Sequence, residues 1–289
     1  ATVLLGGELG IGKGALVRWI VEEAVATLGA AGGVAALIDG PHWARQVLSL
    51  VTLGQPGAPV RELVAAVNAA CGKLRSDETQ TVLAAAGYLM GLDPDPLLVA
   101  HIVARSVTSP TVLAFRDIGA RPGVAAFVEA LARCVARAPA PILCVGTVDR
   151  AHVVTRKGVR KFLGRVGRLP YVQIRQVEPL GADEIIELAR EALTGLGHIA
   201  DELDTELGSA IVHASCGNPG AVTDVCRHLD AAGMLEPRGA ALGLSGSPSP
   251  TPLVAPRMSQ ALCASLSDRL SGLDDREDLL LVVRRAALF

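Results

Sequence analysis

The feature that most constrains this chain is the octapeptide Gly7-Glu-Leu-Gly-Ile-Gly12-Lys13-Gly14 and its neighbours. Residues 2–6 (TVLLG) read as a short buried strand. A helical pattern runs from about Ala15 to Leu28, with Leu16, Ile20, Ala24 and Leu28 recurring every fourth residue. The turn between them fits the phosphate-loop pattern GxxxxGK[ST] at Gly7, Gly12 and Lys13. Glycines let the backbone adopt positive φ and turn successive N–H groups toward phosphate oxygens. The helix N-terminus adds partial positive charge, and the lysine adds a full one. Gly7, Glu8, Gly10, Ile11, Gly12, Lys13, Gly14 and Ala15 are therefore the candidate nucleotide-contacting residues. The bland alternative is a Gly-rich turn with a chance lysine.

A second strand at 34–38 (VAALI) follows, ending at Asp39, and the β-α-β unit argues for a parallel sheet with helices on its faces. Further strands are expected at 111–115 (TVLAF), 142–148 (ILCVGTV) and 172–177 (VQIRQV), the last near a sheet edge. Helices are expected at 60–74, 77–90, 97–107 and 123–137. The fold class is thus α/β: a P-loop NTPase domain over residues 1–180 with a five-stranded parallel sheet. After Pro179 the pattern becomes purely helical, with helices after Gly181, at 204–215 and from Pro219 to about Ala232. This defines an all-α lid over 181–242. A Ser/Pro/Gly-rich linker occupies 243–256, and two more helices in 257–289 read as the start of a truncated C-terminal helical domain.

Two positions depart from the phosphate-loop pattern's metal chemistry. Gly14 stands where Ser or Thr supplies a hydroxyl to Mg²⁺. The strand TVLAF runs into Arg116-Asp117, where a metal-holding carboxylate followed by a water-orienting acid is expected. Arg116 takes the first place and Asp117 the second, so no metal site is placed on protein ligands. The alternative is a register in which Asp117 itself holds the metal. Asp117 is the candidate water-orienting acid.

Composition removes several classes. Half of the 289 residues are apolar but only 3% aromatic, which gives an aliphatic core and excludes a disordered chain. The 27 Lys and Arg against 29 Asp and Glu show no net footprint for nucleic acid or a membrane surface. The apolar stretch 24–38 is too short to cross a bilayer and is broken by glycines. No signal peptide opens the chain, so a cytoplasmic location is expected. The chain begins without Met and stops at Phe289 inside an apolar run, which reads as a piece of a larger protein. The six cysteines form no CxxC pair and read as buried reduced thiols, and the six histidines show no metal-ligand spacing. Arg165 and Arg168, in the run TRKGVRKFLGR, read as solvated cations; the alternative is an approach to a γ-phosphate. His213 and His228 read as structural, and Trp19 and Trp43 as packing residues.

The loop GELGIGKG, the strand TVLAFRD, the strand ILCVGTVD and the segment HASCGNPGAVTDVCRHLDAAGML together resemble the signalling NTPases of the STAND branch of AAA+ ATPases. Those occur inside large bacterial transcription activators and multidomain Ser/Thr kinases or cyclases. The resemblance covers nearly the whole chain, most weakly in its tail, which is similar to the opening of a winged-helix domain. It implies a sheet of order 5-1-4-3-2, a helical lid, and a switch that holds ATP or ADP between the two. It implies a sensor role for Thr147 at the end of strand four. It also implies that Gly217-Asn218-Pro219, and Pro219 in particular, approaches the nucleotide. Partners would be the nucleotide, other domains of the same polypeptide and further copies of the chain, with no membrane and no direct nucleic-acid contact.

Four functions remain open on these residues. The first is a regulatory ATP/ADP-binding module with weak or absent hydrolysis. The second is a working ATPase that recruits Mg²⁺ through phosphates, water and Asp117. The third is a protein-interaction scaffold without nucleotide. The fourth is a dinucleotide-binding oxidoreductase domain, since Gly10-x-Gly12-x-x-Ala15 fits GxGxx[GA] and Asp39 ends strand two. Asp39 lies 29 residues past Gly10, against the usual ~20, and Lys13 has no task there.

Overall fold

The computed structural model describes residues 1–30, 32–40, 42–55, 62, 65, 95–198 and 202–245. The chain divides into two compact units, Ala1–Glu178 and Pro179–Phe289.

The first unit alternates strand and helix. Its described elements are β1 (Thr2–Gly7), α1 (Lys13–Gly29), β2 (Val34–Ile38), α2 (Trp43–Leu53), α3 (Pro96–Ser106), β3 (Thr111–Phe115), a 3-10 turn (Ile118–Ala120), α4 (Pro122–Arg137), β4 (Ile142–Asp149), α5 (Arg150–Thr155), α6 (Lys157–Val166) and β5 (Val172–Gln176). The five strands form one sheet in the order β2-β3-β4-β1-β5, every pair parallel. Read from the other edge this is 5-1-4-3-2, the expected order. β3 is buried at all five positions, as suits a central strand covered on both faces.

The two faces are covered unequally. Leu4, Ile38, Leu113, Phe115 and Cys144 pack on the side that carries α2, α3, α4 and α6. There Trp43 and Phe115 both pack against Phe127, with ring centroids 5.1 and 5.7 Å away. The opposite side carries Leu5, Ala114 and Val145 against Val17 of α1. The helices that follow β1 and β4 therefore lie on opposite faces of neighbouring strands. In open α/β sheets such a reversal marks the carboxyl-end position where ligands bind.

Three helices in this unit lie outside the sequence reading: α2, α5 and α6. α2 packs Trp43, Ala44, Val47, Leu48 and Leu50 into the core. α6 was hidden by its charge, because only Val159, Phe162 and Val166 face inward. The helices expected at 60–74 and 77–90 fall, apart from Glu62 and Ala65, outside the described residues.

The second unit contains α7 (Ala182–Gly195), β6 (Glu202–Leu203), α8 (Thr205–Ser215), α9 (Pro219–Ala231), β7 (Leu235–Arg238) and β8 (Ala241–Leu244). The purely helical expectation is corrected here: β6, β8 and β7 form a small three-stranded sheet. Gly233 and Gly239, both at positive φ, turn the chain into and through the β7–β8 hairpin. β8 also takes in Gly243 and Leu244, the first residues of the expected linker, because Leu242 is buried in the core of this unit. That core is Ile185, Ala189 and Leu193 of α7 packed with Leu207, Ile211, Val222, Val225 and Leu229. The rest of the linker and the helices expected in 257–289 lie outside the described residues.

Cys144 and Cys226 are buried, and burial pushes their thiols up to about 12 and about 11. Cys216 departs from the expectation of burial: it caps α8 in a left-handed conformation and is exposed. Trp43 is buried as expected of a packing residue, whereas Trp19 is 58% exposed on α1.

Candidate functional site

The Gly7–Lys13 turn leaves the carboxyl end of β1 and enters α1 at Lys13. Gly10 and Gly12 sit at φ 81° and 91°, conformations that strain any residue with a Cβ. Gly7, at φ 155°, has no room for a side chain, since a Cβ would lie 2.9 Å from Cγ2 of Ile11. Ile11 is itself buried and anchors the turn. Glu8 is exposed and lies 3.5 Å from Arg150. Lys13 is buried; its Nζ donates to the carbonyl of Gly7 at 2.8 Å and to that of Glu8. The lysine is thus folded into the mouth of its own loop. Gly14 and Ala15 follow on the first turn of α1, and a side chain at Gly14 would meet nothing within 4 Å.

Beside the turn, β4 pairs with β1 so that Gly7 is level with Asp149. Asp149 is buried and caps α5 by accepting from the N–H of Ala151 at 2.8 Å. Sequence reasoning did not single it out. The strand-end aspartate followed by a helix is the signal that finds it, since Asp is a preferred N-cap.

Arg116 and Asp117 lie just past β3 and diverge. Arg116 Nη1 is 3.8 Å from Asp39 at the end of β2, and its Nε is buried without a hydrogen-bond partner. Arg121 ties this corner together. It donates to Asp39 at 2.6 Å, to the carbonyl of Gly40 at 3.2 Å and to that of Arg116 at 2.9 Å. Burial alone would raise the pKa of Asp39. The Gly40 N–H, the Arg121 hydrogen bond and the charges of both arginines outweigh it and hold the carboxyl below its usual range. Asp39 is thus tied into an arginine corner.

Asp117 turns the other way. Its backbone sits at φ 45°, a left-handed conformation that Asp tolerates better than most residues. Its N–H donates to Thr147 Oγ1 at 2.7 Å, and Oδ1 lies 3.0 Å from Nδ1 of His152. Ile118 anchors the following turn against Gly146 of β4, where a Cβ would lie 2.0 Å from Ile118 Cδ1. The structure therefore brings Asp117 and Thr147 together. It adds His152, which no sequence spacing marks because α5 carries it there.

Neither position expected to hold Mg²⁺ carries a donor: Gly14 has no side-chain oxygen and Arg116 is a cation. Those two positions do not fit the metal. A glycine-rich turn that leads into the first turn of a helix is chemically suited to an anionic group.

In the second unit, Pro219 is the first residue of α9, and Asn218 caps it by accepting from the N–H groups of Gly220 and Ala221 at 3.0 and 3.3 Å. Gly217, at φ 80°, offers its carbonyl to the N–H of Leu180 at 2.8 Å. A Cβ there would lie 2.4 Å from Pro179. The Gly217–Pro219 segment is thereby clasped to the first residues of its own unit. Arg165 makes a bidentate pair with Glu129, at 2.8 and 2.7 Å, so it is not simply solvated. Arg168 is exposed.

No protein-family profile matches this chain, and no curated protein does. Among solved structures it is similar to the Aeropyrum pernix ORC1 protein in complex with DNA, at 14% identity and a TM-score of 0.45, over 81% of this chain and 55% of that one. It is similar to Drosophila ORC bound to DNA, at 11% identity and a TM-score of 0.45, over 79% of this chain and 56% of that one. A third is C. elegans PCH-2, at 12% identity and a TM-score of 0.38, over 82% and 56%. The chain spans little more than half the length of these proteins. Likeness at this level decides nothing about the site.

Proposed function

We propose that this chain is an ATP- or ADP-binding switch module of a larger bacterial signalling or transcription-control protein of the STAND and AAA+ type, cytoplasmic, with weak or absent hydrolysis. The observation that carries the reading is the Gly7–Lys13 turn. Three glycines in conformations or spaces that exclude other residues, and a buried lysine, stand at the carboxyl end of β1 where α1 begins. Phosphate would replace the loop carbonyls as the partner of Lys13. Gly7, Glu8, Gly10, Ile11, Gly12, Gly14 and Ala15 would line the nucleotide. Weak hydrolysis is argued from Gly14 and Arg116, which supply neither of two usual Mg²⁺ ligands, and from Asp117, whose carboxylate is engaged by His152. A catalytic metal contributes several kcal/mol of charge stabilisation, and each 1.4 kcal/mol is about tenfold in rate.

A second reading, a Mg²⁺-dependent ATPase, is favoured by one observation: the side chain of Asp117 remains 40% exposed and Thr147 sits beside it. A thermal-shift series with ATP and ADP, each with and without Mg²⁺, tests both. Ligand at 100 times its Kd adds about 2.7 kcal/mol to stability. Stabilisation that survives EDTA supports the switch. Stabilisation and phosphate release that EDTA abolishes support the ATPase. No stabilisation under any condition removes nucleotide from the account.

A further inference from the structure

Helix α6 (Lys157–Val166) is built against its own electrostatics. Arg156 is its N-cap, Lys157 its first residue and Arg160 its fourth, with no acid in the first turn. Cations there oppose the helix dipole. Arg156 and Arg160, Lys157 and Lys161, and Lys161 and Arg165 are like charges four residues apart, a spacing that is destabilising. The run 150–175 holds eight Lys and Arg and no Asp or Glu.

Burial sets the direction of this charge. Val159, Phe162 and Val166 face the core. Lys157, Lys161 and Gly164, at i, i+4 and i+7, form the opposite stripe, with Arg160 beside it and Arg168 just past the helix end; all are exposed. Arg165 is neutralised by Glu129, and Arg156 donates to the carbonyl of Gly119. Lys157, Arg160, Lys161 and Arg168 have no carboxylate partner among the described residues. The near-zero net charge of the chain conceals this, because the two units carry opposite excesses. Residues 1–178 have 19 Lys and Arg against 13 Asp and Glu, and residues 179–289 have 8 against 16.

We propose that the outward face of α6 is a docking surface for the sugar–phosphate backbone of duplex DNA, bound without base specificity. Local rules broken together, without compensation inside the unit, mark a surface selected for something outside it. The chemistry of that face narrows the partner. The outward stripe itself carries no apolar residue, although exposed Val154, Tyr171 and Ile174 flank the helix in the chain, whereas the centre of a protein–protein interface is depleted of charge. A membrane-surface helix needs a free apolar face, and that of α6 is spent on the core. A row of Lys and Arg is what contacts to phosphates require. This surface is independent of the nucleotide reading. It departs from the expectation of no direct nucleic-acid contact, which rested on whole-chain charge.

The test is fluorescence anisotropy of a labelled duplex of arbitrary sequence, about 20 base pairs long, titrated with the full chain from low to physiological salt. Wild type is expected to bind at low salt and weaken steeply as salt rises. The variant Lys157→Gln/Lys161→Gln/Arg168→Gln is expected to bind about tenfold or more weakly, with a log–log salt slope shallower by up to about 3. Its melting temperature should equal or exceed that of wild type, since repulsion is removed. The variant Lys157→Arg/Lys161→Arg is expected to keep binding. Absence of binding at low salt, equal binding by the triple variant, or loss of binding by the charge-retaining variant overturns the proposal. So does stronger binding to polyglutamate or to phosphatidylserine vesicles than to DNA, which would transfer the surface to an acidic protein or a membrane.

Discussion

Asp117 Oδ1 lies 3.0 Å from Nδ1 of His152, so the acid that follows the third strand is held by the helix that follows the fourth. The side chain of His152 is only 9% exposed, and Asp117 is held in a left-handed conformation with Thr147 accepting from its N–H. Three elements thus share one corner of the sheet's carboxyl edge.

Removing the histidine should loosen that corner. His152→Ala is expected to cost about 1–3 kcal/mol, from a lost buried partner and the space left against Gly119. Denaturant unfolding measures it. An unchanged midpoint would mean that the pair contributes nothing to holding Asp117.

Lys13→Ala should leave the fold intact, because alanine is the best helix former and the substituted position begins α1. Nucleotide binding should be weakened or lost, since Lys13 is the buried cation at the mouth of the turn. Calorimetric titration with ATP and ADP decides it, and an unchanged Kd would remove the phosphate-loop assignment.

Gly14 is open space, so Gly14→Thr should be accommodated. Combined with Arg116→Asp it supplies a hydroxyl and a carboxylate where the pattern expects them. The double variant is expected to bind nucleotide in a Mg²⁺-dependent manner, and Gly14→Thr alone to do less, because Arg116 still opposes the ion. Phosphate release from wild type, both single variants and the double variant, at matched Mg²⁺, gives the comparison. Turnover by wild type that EDTA abolishes would sink the switch reading.

The segment around Gly217 should respond to nucleotide. Hydrogen exchange is expected to show protection at 213–222 on adding ADP, and no change, with binding established, would take the lid out of the mechanism. Gly217→Ala should be destabilising whatever the ligand, by about 1–3 kcal/mol. A Cβ at φ 80° would lie 2.4 Å from Pro179 and 3.0 Å from the carbonyl of Leu180.

Acid should expose the Glu129 cluster. The hydrogen bond from Arg165 lowers the Glu129 pKa from 4.5, burial opposes this, and Arg133 adds to the lowering. A depressed carboxylate contributes stability that is present above its unfolded pKa and lost as pH falls through the folded value. Glu129→Gln is therefore expected to melt a few degrees below wild type at pH 7, for a loss of about 1 kcal/mol. The gap should narrow and close as pH falls below the ordinary glutamate value of 4.5 and through the lowered folded value. A constant gap between pH 7 and pH 3 would mean that charge is not its source.

What the sequence determined by itself was whatever is written locally. β-strands 2–6, 34–38, 111–115 and 142–148 are apolar runs between turn residues, and buried parallel strands read that way. The Gly7–Lys13 turn was legible because its chemistry depends on residue type at fixed spacing along one stretch of chain. The helices starting near 204 and at Pro219 were legible as well, and Asp204 and Asn218 cap them. α6 was not, because its inward face is three residues in a cationic run. β6, β7 and β8 were not, because strands of two to four residues carry too little periodicity to outweigh the helices around them. Tertiary structure alone decided where the polar groups of the site point. Arg116 and Asp117 are adjacent in sequence, yet one turns to Asp39 on β2 and the other to His152 after β4. Those partners are 77 and 35 residues away along the chain. Sheet order, the seating of Ile118 against Gly146 and the left-handed turn at Asp117 bring them together, and none of these leaves a mark in local sequence.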